Sequence, residues 1–297
     1  MNRLSLLLSG LFLVASCGDL EIRPLEPSPV PPATDEVSVC LHTATINDNF
    51  LKGESIGLYM SNHSDGASLP LMSSGNYTDN WKFTYDGLGG WTSDRKLYYK
   101  DEDAQVDFYA YFPYSEISDA TRHDVSVPVD QSDEMAYRMA DFIWGNTLNC
   151  QPGAGPINIT LDHMLAKAVV ILKPGHGFTE NELIEVGPRV QIKGISCNAT
   201  FDLGTGQLTE IDSPTLLMPY QHSALEYRAV LVPQHIEDTD LVEISIGAAA
   251  YKLRRTITFE KGKEYTFTVT IQRTEDGVNV GIGSWDVVGE DYGGVVS

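Results

Sequence analysis

Residues 106–112, Val106-Asp107-Phe108-Tyr109-Ala110-Tyr111-Phe112, decide the fold class of this chain. The run is apolar and strongly aromatic apart from Asp107, and Pro113 follows it directly. Aromatic and branched side chains favour the β-strand, and a proline cannot continue the hydrogen-bonded ladder of a central strand. The stretch therefore predicts a buried β-strand that ends at Phe112.

Short runs of the same kind recur on both sides of this stretch. Alternating or continuous apolar residues predict strands at 37–41, 56–60, 125–129, 157–161, 168–172, 190–195, 227–232, 241–246, 265–271 and 278–282. Only residues 133–139 and 180–185 could form helices, and neither segment exceeds two turns. Many short strands with almost no helix predict an all-β protein.

A stretch rich in glycine and proline, residues 149–156, is the best candidate for a domain boundary. It divides the chain into an N-terminal domain, residues 37–155, and a C-terminal domain, residues 156–297. The even spacing of the strands predicts a β-sandwich in each domain, so the two sandwiches follow one another in series.

The N-terminus has the pattern of a bacterial lipoprotein signal. Arg3 precedes an apolar run, residues 4–14, and the small residues Ala15 and Ser16 lead into Cys17. The run is too short for a transmembrane helix, which needs about 20 residues. We expect residues 1–16 to be removed and Cys17 to carry acyl chains that hold an exported protein on the outer membrane. Residues 17–36 are rich in proline and acid and predict an extended tether.

The composition excludes several classes of partner. The chain has 20 Lys and Arg against 41 Asp and Glu, a formal charge of −21. Such a charge repels nucleic acid, so we predict no nucleic-acid partner. Once Cys17 is acylated, Cys40, Cys150 and Cys197 remain, and an odd number allows at most one disulfide between them.

No motif of catalysis, cofactor binding or metal binding is present. The sequence lacks a phosphate-binding loop and a zinc-protease motif, and its seven histidines have no ligand spacing. The acids Asp101, Glu102 and Asp103 lack the glycine and spacing of a calcium loop. We therefore predict a protein that is not an enzyme and has no cofactor or metal. A glycoside hydrolase is the least favoured alternative. It would need two carboxylates held about 5–9.5 Å apart, and the sequence alone does not reveal such a pair.

Aromatic residues are concentrated between Trp81 and Tyr114. Packing in a core and across strands accounts for them best. A sugar-stacking platform that includes Trp81 and Trp91 is the alternative, and it would make the chain a surface glycan-binding lipoprotein without catalysis.

Six sequence blocks, taken in order, resemble the fimbrillin-like proteins, which include subunits of the type V pili of anaerobic Gram-negative bacteria. The blocks are the lipobox that ends at Cys17, residues 50–59, 106–114, 161–167, 227–234 and 262–269, followed by Trp285. The resemblance implies two transthyretin-like β-sandwich domains and a fimbrial subunit, or a tip, anchor or accessory lipoprotein, that serves adhesion. Its partners would be other pilus subunits, the outer membrane through Cys17, and a ligand on a host or bacterial surface.

The resemblance also implies assembly by donor-strand exchange. A surface protease removes the first strand, and a strand of the neighbouring subunit fills the groove. In this chain residues 35–46 would fill their own groove through Val37, Val39 and Leu41. The donor would lie within residues 278–297, where Val278, Val280 and Ile282 alternate.

The processing site departs from the family pattern. Polymerising members are cut after an arginine, but no arginine lies between Arg23 and Arg95 here. Lys52 is the only basic residue in the expected window. Either a lysine-tolerant protease cuts there, or the first strand stays and the chain keeps its lipid, as an anchor or a non-polymerising member would.

Overall fold

The computed structural model describes residues 36–37, 39–43, 50–273 and 280–291. Strands dominate it, which confirms the predicted all-β class. The strands are β1 Val39–Thr43, β2 Ser55–Asn62, β3 Thr78–Tyr85, β4 Trp91–Thr92, β5 Val106–Phe112, β6 His123–Ser126, β7 Ile143–Cys150, β8 Ile157–His163, β9 Ala166–Pro174, β10 Arg189–Asp202, β11 Gln207–Leu217, β12 Tyr220–Ser223, β13 Glu226–Leu231, β14 Gln234–Ile246, β15 Ala249–Phe259, β16 Lys263–Arg273 and β17 Val280–Asp291.

Two short helices interrupt the strands: α1, Glu134–Met139, and α2, Glu180–Glu185. The Asp133 side chain accepts hydrogen bonds from the first turn of α1, and Thr179 and Glu182 form a capping box on α2. These caps satisfy backbone donors that a helix start leaves open, so both predicted helices form although they are short.

The strands form three sheets. The first has the order β1-β8-β7-β5-β2-β3-β4, the second β11-β10-β14-β15 with β6 also on β10, and the third β12-β13-β9-β16-β17. Two pairs are parallel, β1 with β8 and β9 with β16, and the other paired strands are antiparallel.

Strand β5 is buried on both faces, and its alternate residues enter different cores. Val106, Phe108, Ala110 and Phe112 belong to the first core, which lies on one face of the first sheet. Tyr109 and Tyr111 belong to the second core, together with residues of the second and third sheets such as Phe201 and Phe267. The continuous apolar run arises because successive side chains point to opposite faces and both faces are covered.

The segment 149–156 lies inside the first sheet. It connects β7 to β8, and these strands pair as neighbours, with Ile143 opposite His163. The two strands approach each other closely at Gly145, where an added Cβ would lie 1.9 Å from the carbonyl oxygen of Thr160. The first sheet therefore extends to His163, beyond the boundary we placed at residue 155, and β6 from the N-terminal side pairs with β10. Two transthyretin-like domains remain a prediction.

The predicted signal, Cys17, the tether up to residue 35 and Val278 lie outside the described residues. Within the described part of the chain, no helix is long and apolar enough to cross a bilayer.

Candidate functional site

The candidate site is the edge of the first sheet that β1 forms. Strand β1 runs parallel to β8, with Val39 opposite Ile157 and Leu41 opposite Ile159. Just before it, the backbone N–H of Val37 donates to the carbonyl oxygen of Leu97 at 2.8 Å. The N-terminal segment therefore reaches from the loop that contains Leu97 to the edge of β8.

This segment contributes side chains to the first core. Val37 is 4% exposed and belongs to that core, and Leu41 is half buried against it. Beneath them, Ile157, Ile159 and Leu161 of β8 are buried, whereas Asn158, Thr160 and Asp162 are exposed. Without β1, strand β8 would present an unpaired backbone edge beside three buried apolar side chains, and such an edge is a template for another strand.

Ion pairing adds little to the attachment of this segment. Lys96 Nζ lies 2.6 Å from Glu36 Oε2, but both side chains are largely exposed. Exposed pairs of this kind contribute about 0–1 kcal/mol. Backbone pairing and the burial of Val37 and Leu41 therefore dominate.

The C-terminal strand β17 also lies at an edge, that of the third sheet. It pairs with β16 along most of its length, with Val280 opposite Arg273 and Ile282 opposite Ile271. The segment predicted as a donor thus completes its own sheet here, and the structure neither brings it to β8 nor joins it to β1.

Lys52 lies in an exposed turn between β1 and β2. Gly53 has a positive φ of 93°, and the N–H of Glu54 donates to the carbonyl oxygen of Leu51 at 3.0 Å. The Glu54 carboxylate accepts from the Leu51 N–H at 2.7 Å and from Arg138 Nε and Nη2 at 2.7 and 2.9 Å. The Lys52–Gly53 bond is therefore on the surface, but α1 fastens the turn that contains it.

The aromatic residues do not form one platform. Trp91 packs edge-on to Phe50, with ring centroids 4.8 Å apart, and lies 5.3 Å from Tyr85. Trp81 packs against the first core, and the Arg95 guanidinium lies 4.4 Å from the centroid of its ring. Packing thus engages both indoles, in line with our preferred interpretation of the aromatic residues.

One buried polar cluster was not predicted. Asp107 is fully buried and accepts hydrogen bonds from Ser68 Oγ, from the Asn149 N–H at 2.8 Å and from His63 Nε2 at 2.9 Å. Burial alone would raise the pKa of Asp107, but these hydrogen bonds outweigh it and hold the pKa below its ordinary value. The cluster joins three separate segments of the chain. Its one sequence signal was an isolated acid inside an apolar strand.

The histidine and lysine of the block 161–167 have structural partners. His163 Nδ1 lies 2.6 Å from Asp141 Oδ2, and Lys167 Nζ lies 2.7 Å from Glu264 Oε2. Cys150 and Cys197 are thiols, and burial raises the pKa of both. Among the described residues, no group of three or more His, Cys, Asp or Glu side chains is placed to hold a metal ion.

These features define an all-β protein of three sheets, in which the N-terminal strand β1 lies at one edge of the first sheet. The chain belongs to the fimbrillin-like family, whose sequence model matches residues 43–285. This confirms the resemblance found in the sequence.

Individual relatives agree with this assignment. Fim1C of Bacteroides ovatus, described as a proposed fimbrium tip subunit, is 28% identical over 200 residues, which are 62% of this chain and 35% of that protein. The chain thus spans about a third of the length of this curated relative.

Two solved structures, described as candidate cell adhesion proteins, share the fold. One, from Bacteroides uniformis, has a TM-score of 0.67 at 20% sequence identity, and the match covers 86% of this chain and 98% of that protein's chain. The other, from Bacteroides ovatus, has a TM-score of 0.67 at 15% identity and covers 89% and 99%.

Proposed function

We propose that this chain is a fimbrial subunit or accessory protein of the bacterial cell surface, that it acts in adhesion, and that it has no enzymatic activity. It assembles with other fimbrial subunits by exchange of its first strand. Membership of the fimbrillin-like family supports the class of function. The position of β1 supports the mechanism.

The observation that carries the proposal is the parallel edge pairing of β1 with β8. As an edge strand, β1 can leave without breaking any other pair of the first sheet. A replacement strand with apolar residues at alternate positions would restore both the backbone hydrogen bonds and the cover over Ile157 and Ile159. We propose Val37, Val39 and Leu41 as the residues that cover this groove before exchange.

The C-terminal segment with Val278, Val280 and Ile282 is the proposed donor. In the single chain, β17 pairs with β16 at the edge of its own sheet. Donation therefore requires β17 to detach from β16, or to extend beyond it through residues 292–297.

Acylation and proteolytic cleavage determine whether the chain stays on the outer membrane or is released from it. Acylated Cys17 would hold the precursor on the outer membrane, and cleavage after Lys52 would release β1 together with the lipid. A chain that is never cut would keep β1 and serve as an anchor.

Mass spectrometry of the chain on cells tests the processing step. We expect fibre-associated copies to begin at Gly53, and a Lys52→Gln variant to begin at acylated Cys17 and to be absent from the fibre shaft. Arg138→Ala should raise the cleavage rate several-fold, because it releases Glu54 from α1 and frees the turn.

Arg255→Ala, which changes a partly exposed arginine far along the chain, is the matched control and should leave processing unchanged. Fibres built from copies that all begin at acylated Cys17 would contradict the cleavage step.

A further inference from the structure

A polar cleft of about 380 Å³ lies at the outer edge of β3. Strand β4 pairs only with Thr84 and Tyr85 of β3, and no other described strand pairs with that edge. Trp81 and Lys82 both line the cleft although successive strand residues point to opposite faces, so the cleft wraps around the edge. The cleft is also lined by Ser93, Asp94, Arg95 and Tyr114.

The charged groups of this cleft retain open hydrogen-bonding capacity. In the part of the chain that the structure describes, neither Asp94 nor Arg95 makes an ion pair or a side-chain hydrogen bond, and both side chains are exposed. Among the described residues, the one charged-group contact of Lys82 Nζ is with the ring of Tyr114, whose centroid lies 5.0 Å away. Polar groups that converge on a cleft without binding one another are typical of a ligand site.

In a second cleft, of about 260 Å³, the arginine side chains are already bound by protein carboxylates. It lies beside α1 and is lined by Arg138 and Arg228. Those two guanidinium groups are bound by Glu54 and Glu226. Its cations are therefore engaged in holding the protein together, and the cleft at β3 is the better candidate.

Trp81 supplies a second, independent observation. Its indole N–H is buried and has no hydrogen-bond partner among the described residues. A buried donor without an acceptor is unfavourable, so the site gains from any ligand oxygen that reaches it. The exposed Arg95 side chain covers the indole and has no other described contact that holds it there. Arg95 can therefore move away and expose the face of the ring that it covers.

The geometry of β3 disfavours a peptide strand as the ligand. Asn80 has a positive φ of 48°, and the pairing of β3 with β2 shifts register between Leu58 and Met60. An added strand needs a regular row of backbone donors and acceptors, and this irregularity interrupts the row.

We propose that this cleft binds a neutral saccharide. The Asp94 carboxylate accepts hydrogen bonds from sugar hydroxyls, Lys82 and Arg95 donate to them, and the apolar face of a pyranose ring packs on Trp81 once Arg95 has moved. Two acids, Asp79 and Asp94, and two cations, Lys82 and Arg95, line the cleft, so its charges balance, which favours a neutral ligand. The inference rests on the proposed adhesive function, to which it adds the class of ligand.

The test is binding of the full chain, in detergent, to an array of neutral and sialylated oligosaccharides, followed by calorimetric titration of the strongest neutral ligand. Asp94→Asn and Trp81→Phe should each weaken binding about tenfold, because Asn replaces a charged acceptor by a weaker neutral one and Phe lacks the larger indole face and its N–H. Trp91→Phe and Glu237→Gln, which lie outside the cleft, are the matched controls and should bind as the unchanged chain does.

Three outcomes would overturn the inference: no neutral oligosaccharide binds, binding is unaffected by Asp94→Asn, or the cleft takes an extended peptide instead. Because Asp94 is exposed, its variant also separates this inference from the proposed function. Asp94→Asn chains should enter fibres normally, so normal fibres without saccharide binding would refute the ligand and leave the fimbrial role standing.

Discussion

A chain that begins at Gly53, and therefore lacks β1, is expected to lose about 3–5 kcal/mol of unfolding free energy relative to the full chain. Val37 is buried and Leu41 is half buried, and full burial of such a side chain contributes about 1.5–3 kcal/mol. The loss of backbone pairing along β8 adds to this, and Ile157 and Ile159 lose their cover. The shortened chain should also aggregate through the open edge of β8.

Urea denaturation of the two chains under identical conditions measures the difference. A synthetic peptide of residues 35–46, added in excess, should restore most of the lost stability by occupying the groove. The same peptide with aspartate in place of Val37 and Leu41 is the control and should restore none. Equal stability of the two chains would show that β1 contributes nothing to the first core.

The substitution Asp107→Ala is expected to destabilise the chain by about 3–5 kcal/mol at neutral pH, because each buried donor left without an acceptor costs about 1–3 kcal/mol. It leaves the Asn149 N–H, the Ser68 hydroxyl and His63 without their common acceptor. Asp162→Ala changes an exposed acid and should shift stability by about 0.5 kcal/mol or less.

The effect of Asp107 should depend on pH with a definite sign. Because hydrogen bonds hold its folded pKa below the ordinary value, the folded chain binds its proton more weakly than the unfolded chain does. The stabilisation is therefore complete above the ordinary pKa, about 3.9, and is lost as the pH falls through the lower folded value.

Denaturant titrations at several pH values between 7 and 2 would measure this. The difference in unfolding free energy between the unchanged chain and Asp107→Ala should shrink as the pH falls below about 4. A difference that grows as the pH falls below about 4 would contradict the assigned hydrogen bonds.

Much of the fold could be predicted because β5 and the other strands are marked by apolar or alternating residues within short stretches of sequence. The run from Val106 to Phe112 is apolar on both faces, and the structure buries both. Helices α1 and α2 were predicted from short polar segments, and caps at Asp133 and Thr179 stabilise them.

The place of residues 149–156 in the first sheet could not be predicted, because glycine and proline occur in linkers and in hairpin connections alike. Residues 149–156 have the composition of a linker, but the pairing of β7 with β8 makes them a connection within one sheet. Only the register of the flanking strands separates these two cases, and composition does not contain it.

The candidate sites depend on contacts between distant segments. Asp107 was visible as a lone acid, but its partner His63 lies 44 positions away in the chain. Similarly, Trp81 was noted for its aromatic ring, whereas its unpartnered N–H and the position of Arg95 over the ring depend on contacts between segments.

Locking β1 in place tests the central claim most directly. The register sets Cys40 of β1 opposite Asn158 of β8. Neighbouring strands lie about 4.7–4.9 Å apart, within the Cα separation of about 4.4–6.8 Å that a disulfide spans. An Asn158→Cys chain, oxidised before assembly, should therefore fail to polymerise and should recover on reduction, whereas Asn158→Ser and the double variant Cys40→Ser, Asn158→Cys should assemble in both states. Normal fibres built from copies that retain the disulfide between Cys40 and the introduced cysteine would contradict strand exchange at this edge.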